Sequence, residues 1–249
     1  MGGALIKGWY RQGLTESLTA VARKQVTLDA LVAQCPGIHV TLNGQEAVKD
    51  ANMVVVAVKP WMVQDVVAYL LPCLQPGKQI LVSIAAGIDN EKLQQWIGPG
   101  AHTCYAMPNI AAEYGQAMSF VIPSGNLTAD ETRQVIDLFA KVGKVQCCDK
   151  RTLNAGNMMA GCGIAYVMRF IQAMMEGGVE MGLYPRNARE IAMQAMQGAV
   201  TLLGETGMHP AVAIDKVTTP GGLAIRGLNE MDHAGFNSAV IRALKAGLD

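Results

Sequence analysis

Hydrophobic positions fall at strand spacing along the first part of this chain and at helical spacing along the rest. The run Met53-Val54-Val55-Val56-Ala57-Val58 is continuous and largely β-branched, the pattern of a strand covered on both faces. Lys59-Pro60 stops it, and residues 61–71 read as a helix. A second buried strand is predicted at 79–84, stopped by Ala85-Ala86-Gly87. Shorter strands are predicted at 17–22, 38–41, 103–106 and 117–123, with helices at 2–12, 27–33, 44–50 and 130–142. Strands alternating with helices at this spacing imply a doubly wound parallel sheet over residues 1–150.

From Arg151 the strand signal disappears, and residues 151–249 read as an all-α domain with helices at 153–182, 186–205, 210–216, 221–232 and 237–246. Along the second of these, Ala188, Ile191, Ala192, Ala195, Ala199, Leu202 and Leu203 trace one apolar stripe, and Met193, Met196 and Val200 carry apolar character onto the other side. A helix apolar all round needs cover on all sides, which a domain of about a hundred residues does not supply alone. A homodimer or larger homo-oligomer, interdigitated through these helices, is therefore expected.

Composition narrows the classes. Net charge is zero and pI is near 6.9, which argues against a nucleic-acid or anionic-membrane partner. The six cysteines show no C-x-x-C pair, and neither they nor the four histidines cluster as metal ligands, so reduced thiols and no metal site are expected. The start lacks the basic and apolar regions of a signal peptide, so a cytoplasmic location is expected. The uncharged stretch 152–168 is short for a membrane span and carries Gly156, Gly161 and Gly163; it reads as a buried helix start.

Candidate chemistry sits mainly at strand ends. A dinucleotide-binding fold opens on a strand, a G-x-G-x-x-G turn and a helix whose N-terminus faces the pyrophosphate. Here only Met1-Gly2 and the helix stand, so the α/β domain begins one strand late. Arg23-Lys24 follows a predicted strand, where a basic end accommodates the 2′-phosphate of NADP and a carboxylate would select NAD. Ala57-Val58-Lys59-Pro60, Ala85 and Met107-Pro108-Asn109 lie at the carboxyl ends of further strands, where α/β sheets bind ligands. In the helical half, Thr218-Thr219-Pro220-Gly221-Gly222 reads as a threonine N-cap, a proline in the first helical position and two side-chain-free residues. The open helix N-terminus suits a small carboxylate. Gly161-Cys162-Gly163 lets a backbone or a ligand approach a helix closely.

These pieces, in this order, resemble pyrroline-5-carboxylate reductase, the last enzyme of proline biosynthesis. The likeness rests on Met-Gly-Gly-Ala-Leu-Ile at the start, A-V-K-P at 57–60, S-I-A-A-G-I at 83–88, M-P-N at 107–109, G-C-G-I-A-Y at 161–166 and V-T-T-P-G-G at 217–222. It implies a Rossmann-type NAD(P)-binding domain, here without its first strand, followed by a helical dimerisation and substrate domain. It also implies reduction of 1-pyrroline-5-carboxylate to L-proline with NADPH, NAD being the alternative cofactor. Met1, Gly2, Arg23, Lys24, Ala57, Val58, Lys59, Pro60, Ala85, Met107 and Asn109 would hold the cofactor. Thr218, Thr219, Gly221, Gly222 and Cys162 would line the catalytic site. The sequence departs from the family where Cys162 and Ile164 replace a serine and a proline, and where Leu223 and Ala224 replace two threonines. The family's cofactor-contacting asparagine falls at Gly44, with Asn43 one residue early. These departures leave two other readings open: a non-catalytic oligomeric homologue, or a reductase of another cyclic imine.

Overall fold

A computed structural model describes residues 1–248. The chain folds as two compact units, Met1–Gly161 and Cys162 onward.

The first unit opens on helix α1 (Gly2–Arg11) and continues through β1 (Thr19–Val21), α2 (Gln25–Gln34), β2 (His39–Thr41), α3 (Gly44–Lys49) and β3 (Met53–Val56). A 3₁₀ turn at Pro60–Met62 leads into α4 (Val63–Leu70), then β4 (Ile80–Ser83), α5 (Asn90–Ile97) and β5 (Thr103–Met107). Helix 61–71 of the sequence reading is therefore split, because Pro60 enters it through a tighter turn. β6 (Ala117–Pro123), α6 (Ala129–Ala140), β7 (Gly143–Cys147) and α7 (Lys150–Asn157) complete the unit.

The strands form two sheets. β1 and β2 pair in parallel with each other alone, and β3 to β7 make a five-stranded sheet in sequence order. α1 spans both. Its Leu5 and Trp9 are buried among Ile80, Val82, Cys104 and Phe139 of the larger sheet's core. Its Ile6 and Tyr10 pack on Ala20, Leu31, Cys35 and Ile38 beside the smaller one. Trp9 is fixed twice, edge-on to Phe139 at 5.9 Å between centroids and by its indole N–H to the Leu138 carbonyl at 2.9 Å.

The larger sheet corrects the expectation of all-parallel strands. β3, β4 and β5 are parallel, but β6 runs antiparallel to β5, and β7 is parallel to β6. The connection 108–116 is occupied by a 3₁₀ turn, Ile110–Tyr114, and is shorter than the dozen or so residues of a parallel crossover. β7 is absent from the pattern-based reading because it is an edge strand whose Lys144 and Gln146 break the apolar signature.

A capping box and a histidine–carboxylate contact tie the start of α6 to the residue before β5. Thr128 begins α6 with a reciprocal capping box to Glu131, and His102 Nδ1 lies 2.6 Å from Glu131 Oε1. Burial opposes ionisation of Glu131, but the Thr128 backbone N–H, His102 and the Thr128 hydroxyl outweigh it and hold the carboxyl below its ordinary range. A carboxyl depressed in the fold contributes stability above its unfolded pKa of about 4.3 and loses it as pH falls through the lower folded value. Glu131→Gln should therefore be less stable than the parent at neutral pH, with the deficit shrinking on acidification. Urea titrations at several pH values check this, and a deficit independent of pH would refute it.

The second unit contains α8 (Gly163–Glu180), α9 (Pro185–Thr206), α10 (Pro210–Val217), α11 (Leu223–His233) and α12 (Phe236–Lys245). α8 is preceded by a π-helical turn at Met158–Cys162, so the helix expected at 153–182 is interrupted. α8 and α9 meet where Gly178 approaches Ala188, and Phe170 stacks on Phe236 with centroids 5.8 Å apart. Tyr166 donates its hydroxyl to the Ala243 carbonyl at 3.1 Å.

The burial expected of two helical segments is not met within one chain. Between residues 151 and 169 only Leu153 is buried, although the helical stretch Lys150–Glu180 is long and apolar enough to cross a membrane by length and composition. On α9 only Ala188 and Ala192 of the predicted stripe are buried, while Ile191 is 56% exposed.

Candidate active site

At the start of α1, a Cβ on Gly2 would stand 3.0 Å from the Ala57 Cβ just past β3, so helix N-terminus and strand end meet closely. No side chain caps that N-terminus, and no acidic residue lies in its first turn, which leaves its N–H groups and positive dipole end for an anion. α2 begins the same way directly after β1. Lys24 is its N-cap without a side-chain cap bond, and Arg23 precedes it. Neither cation is in a salt bridge among the described residues. Two unpaired cations and a bare helix end thus converge at the carboxyl end of a parallel strand.

Beyond β3, Ala57 and Lys59 are exposed, Val58 packs against the Val56, Ala85 and Ile88 cluster, and Pro60 opens the 3₁₀ turn. Ala85 has its side chain in that same cluster, so only its backbone can face a ligand. Ala86 and Gly87 are exposed beside it. Met107 ends β5 half-buried. Asn109 is buried, and its amide is used within the chain. Oδ1 accepts from the Ala111 N–H at 3.1 Å, and Nδ2 donates to the Ala160 carbonyl at 2.9 Å. Its part is to hold the loop after β5.

Gly44 opens α3 in close contact with α4. A Cβ there would lie 3.1 Å from Leu70 Cδ2 and 3.2 Å from Tyr69 Cε1. Asn43 is the N-cap of α3, its Oδ1 accepting from the Glu46 N–H at 3.2 Å.

In the second unit the helix after the glycines starts later than the sequence suggested. The N-cap of α11 is Gly222, and Pro220 lies in the preceding turn. Thr218 is the C-cap of α10 and donates its hydroxyl to the Asp215 carbonyl at 3.3 Å. Gly221 has φ +70°, which glycine adopts without strain, and the Thr219 carbonyl accepts from the Gly222 N–H at 2.9 Å. A glycine N-cap leaves the first N–H groups of α11 uncovered, so the anion-binding end survives the shift in boundary. Cys162 lies at the N-cap of α8, half-buried and unpaired.

Sequence reasoning missed a group around Gly87. The Gly87 N–H donates to the Tyr105 hydroxyl oxygen at 3.1 Å, and Lys92 Nζ donates to the Gly87 carbonyl at 2.6 Å. Asp89, beside it, caps α5 and pairs with Lys150 at 2.8 Å. Burial opposes ionisation of Asp89, yet hydrogen bonds and charge from Lys150 and Lys92 hold its carboxyl below the usual range. Tyr105, Lys92, Asp89 and Lys150 were all unread in the sequence; Asp89 ahead of Asn90-Glu91-Lys92 is a pattern by which an N-cap can be found.

Comparison with known proteins fits this arrangement. A family model described as pyrroline-5-carboxylate reductase dimerisation matches residues 150–249. One described as NADP oxidoreductase, coenzyme F420-dependent, matches residues 1–87. The pyrroline-5-carboxylate reductase of Pisum sativum is 34% identical over 248 residues, covering 99% of this chain and 89% of that protein. That of Methanosarcina acetivorans is 31% identical over 249 residues, covering 98% and 92%. Among solved structures, the Streptococcus pyogenes enzyme superposes with a TM-score of 0.87 at 25% identity, covering 100% of this chain and 93% of that one. The Plasmodium falciparum enzyme, solved with NADP bound, has a TM-score of 0.88 at 22% identity and covers 100% and 92%; it shows the fold alone. With relatives above 30% identity along nearly the whole length, the chain belongs to the pyrroline-5-carboxylate reductase family.

Proposed function

We propose that this protein reduces 1-pyrroline-5-carboxylate to L-proline with NADPH. The observation that carries the cofactor choice is the unpaired Arg23-Lys24 at the bare N-terminus of α2, which fits a 2′-phosphate and offers no carboxylate to a free 2′-hydroxyl. The uncapped start of α1 against Ala57 is suited to the pyrophosphate. When bound, NADPH supplies the hydride that adds to the carbon of the substrate's C=N bond.

The protein's own groups position and compensate charge. In the second unit, the open N–H groups following Gly222 suit the substrate carboxylate. Thr219 stands next to them, and its hydroxyl supplies the donor that Ala224 lacks. A cyclic imine protonated in solution arrives as an iminium, so hydride addition needs little acid catalysis from the protein.

A homodimer or larger homo-oligomer is part of this reading, because α8 and α9 expose Val167, Met168, Ile191, Met193, Val200 and Leu202. The six unpaired thiols suit a reducing cytoplasm. Cys104 in particular is inert, since burial, with a small contribution from Cys147, pushes its thiol up to about 12.

A second reading, reduction of a different cyclic imine, is favoured by Ala224 and by Leu223, which is 86% exposed beside the α11 N-terminus. Steady-state assays with NADPH against a panel of cyclic imines, with proline identified as product, decide between them. The expected result is the highest kcat/KM on 1-pyrroline-5-carboxylate. NADPH binding with no turnover of any imine would leave the non-catalytic homologue.

A further inference from the structure

We infer that Tyr105 is a positioning residue for the cofactor, acting through the backbone of the loop 84–88. The inference rests on the NADPH reading above but does not depend on which imine is reduced.

That loop leaves β4 at its carboxyl end, where ligands of doubly wound sheets bind, and it carries no polar side chain of its own. One backbone bond closes its turn, the Ile88 N–H donating to the Ala85 carbonyl at 3.1 Å, and the remaining contacts come from outside. Ala85 and Ile88 anchor its two ends in the apolar cluster with Val56, Val63 and Leu93. Between them, Gly87 has φ +73° and no neighbouring atom within 4 Å of where a Cβ would stand, so packing does not define its position. Polar contacts do: Tyr105 takes its N–H and Lys92 takes its carbonyl. These two side chains come from different elements, β5 and α5, and grip one peptide unit on either side of the same glycine.

Tyr105 is itself immobile. It is 5% exposed, with its ring among Phe120, Leu153, Met107 and Ile122 on one face of the sheet. Burial, reinforced by the charge of Asp89, raises its phenol above the ordinary value, so the hydroxyl stays protonated at any working pH. Its oxygen accepts from Gly87, and its proton remains available to donate. Tyr105 thus fixes where exposed Ala86 and Gly87 present their backbone at the carboxyl end of β4, where a cofactor would bind.

The test uses the full chain and Tyr105→Phe, which keeps the ring and removes the oxygen. We expect the Kd for NADPH, measured by direct titration, to rise about tenfold, consistent with loss of one buried hydrogen bond. KM for NADPH should rise in parallel, with kcat and KM for the imine within twofold of the parent. In the cofactor-free protein, the Gly87 amide should exchange its hydrogen faster, while amides of β4 and β5 keep their protection. An unchanged Kd overturns the inference, and so does a fall in kcat at unchanged Kd. If Tyr105→Phe does not fold, Lys92→Met decides, since it releases the same glycine from the other side and should raise the Kd in the same direction. A parent chain that binds NADPH but reduces no imine would overturn the proposed reaction while leaving the Kd comparison intact.

Discussion

Gly8→Ala should lower the melting temperature by about 6–12 °C, the equivalent of about 3 kcal/mol in a protein of this size. The direction is opposite to what helix propensity gives, because alanine in the interior of a helix is normally favoured over glycine by about 0.5–1 kcal/mol. Packing wins here. A Cβ at Gly8 would overlap the Ala112 carbonyl oxygen and lie 2.8 Å from Val142 Cγ1. The first obstacle is backbone, held in the 3₁₀ turn Ile110–Tyr114 that Asn109 caps, so it cannot rotate away as a side chain would. Overpacking costs about 1–3 kcal/mol in general, and an unyielding partner puts this site at the top of that range. Gly3→Ala is the control, since nothing lies within 4 Å of a Cβ there, and it should leave the melting temperature unchanged or slightly raised. If both variants melt alike, the close approach of α1 to the turn is not what this glycine serves.

Arg23→Asp should reverse the cofactor preference. Loss of a charge-assisted hydrogen bond costs about 1.5–3 kcal/mol, which corresponds to about a ten- to hundredfold fall in kcat/KM for NADPH. A carboxylate at the end of β1 can accept from a 2′-hydroxyl, so kcat/KM for NADH should rise over the parent. The substitution should not disturb the fold, since Arg23 forms no ion pair within the chain among the described residues. An unchanged ratio of the two cofactors, with both still turned over, would remove Arg23 and its neighbourhood from the 2′-phosphate site.

The elements most legible in the sequence were those defined by unbroken apolar character. β3 and β4 were found because each carries an unbroken apolar run, Met53–Val56 and Ile80–Val82, with nothing polar inside it to confuse the period. β6 was bounded to the residue by Ala117 and Pro123, yet its direction was not. Direction depends on whether the preceding connection can cross the sheet, and Ile110–Tyr114 gave no sign of being a compact 3₁₀ turn. The late start of α11 was missed because Thr219 and Pro220 are both good helix openers, while Gly221 in a left-handed conformation decides against them. Strand-end loops could be named as ligand sites from their position alone. The roles within them could not, since Asn109 faces Ala160 and Tyr105 faces Gly87 across distances in sequence that no local pattern encodes.

The division of the sheet between β1 and β3 bears on how the protein would respond to its cofactor. No ladder of hydrogen bonds joins the two sheets, so the piece carrying Arg23 and Lys24 is coupled to the piece carrying Ala57 and Gly87 through helices, the side chains of α1 and the contacts of α3 with Val21, Leu70 and Tyr69. Segments coupled in this way can open separately and at lower cost than the whole domain. A dinucleotide that touched both pieces would then act as a cross-brace, and binding would be felt as tightening of the fold. Ligand occupancy stabilises in proportion to RT ln(1 + [L]/Kd), about 2.7 kcal/mol at a hundredfold excess over Kd. Most of that gain should appear in β1, α2 and β2, which no strand pairing ties to the larger sheet.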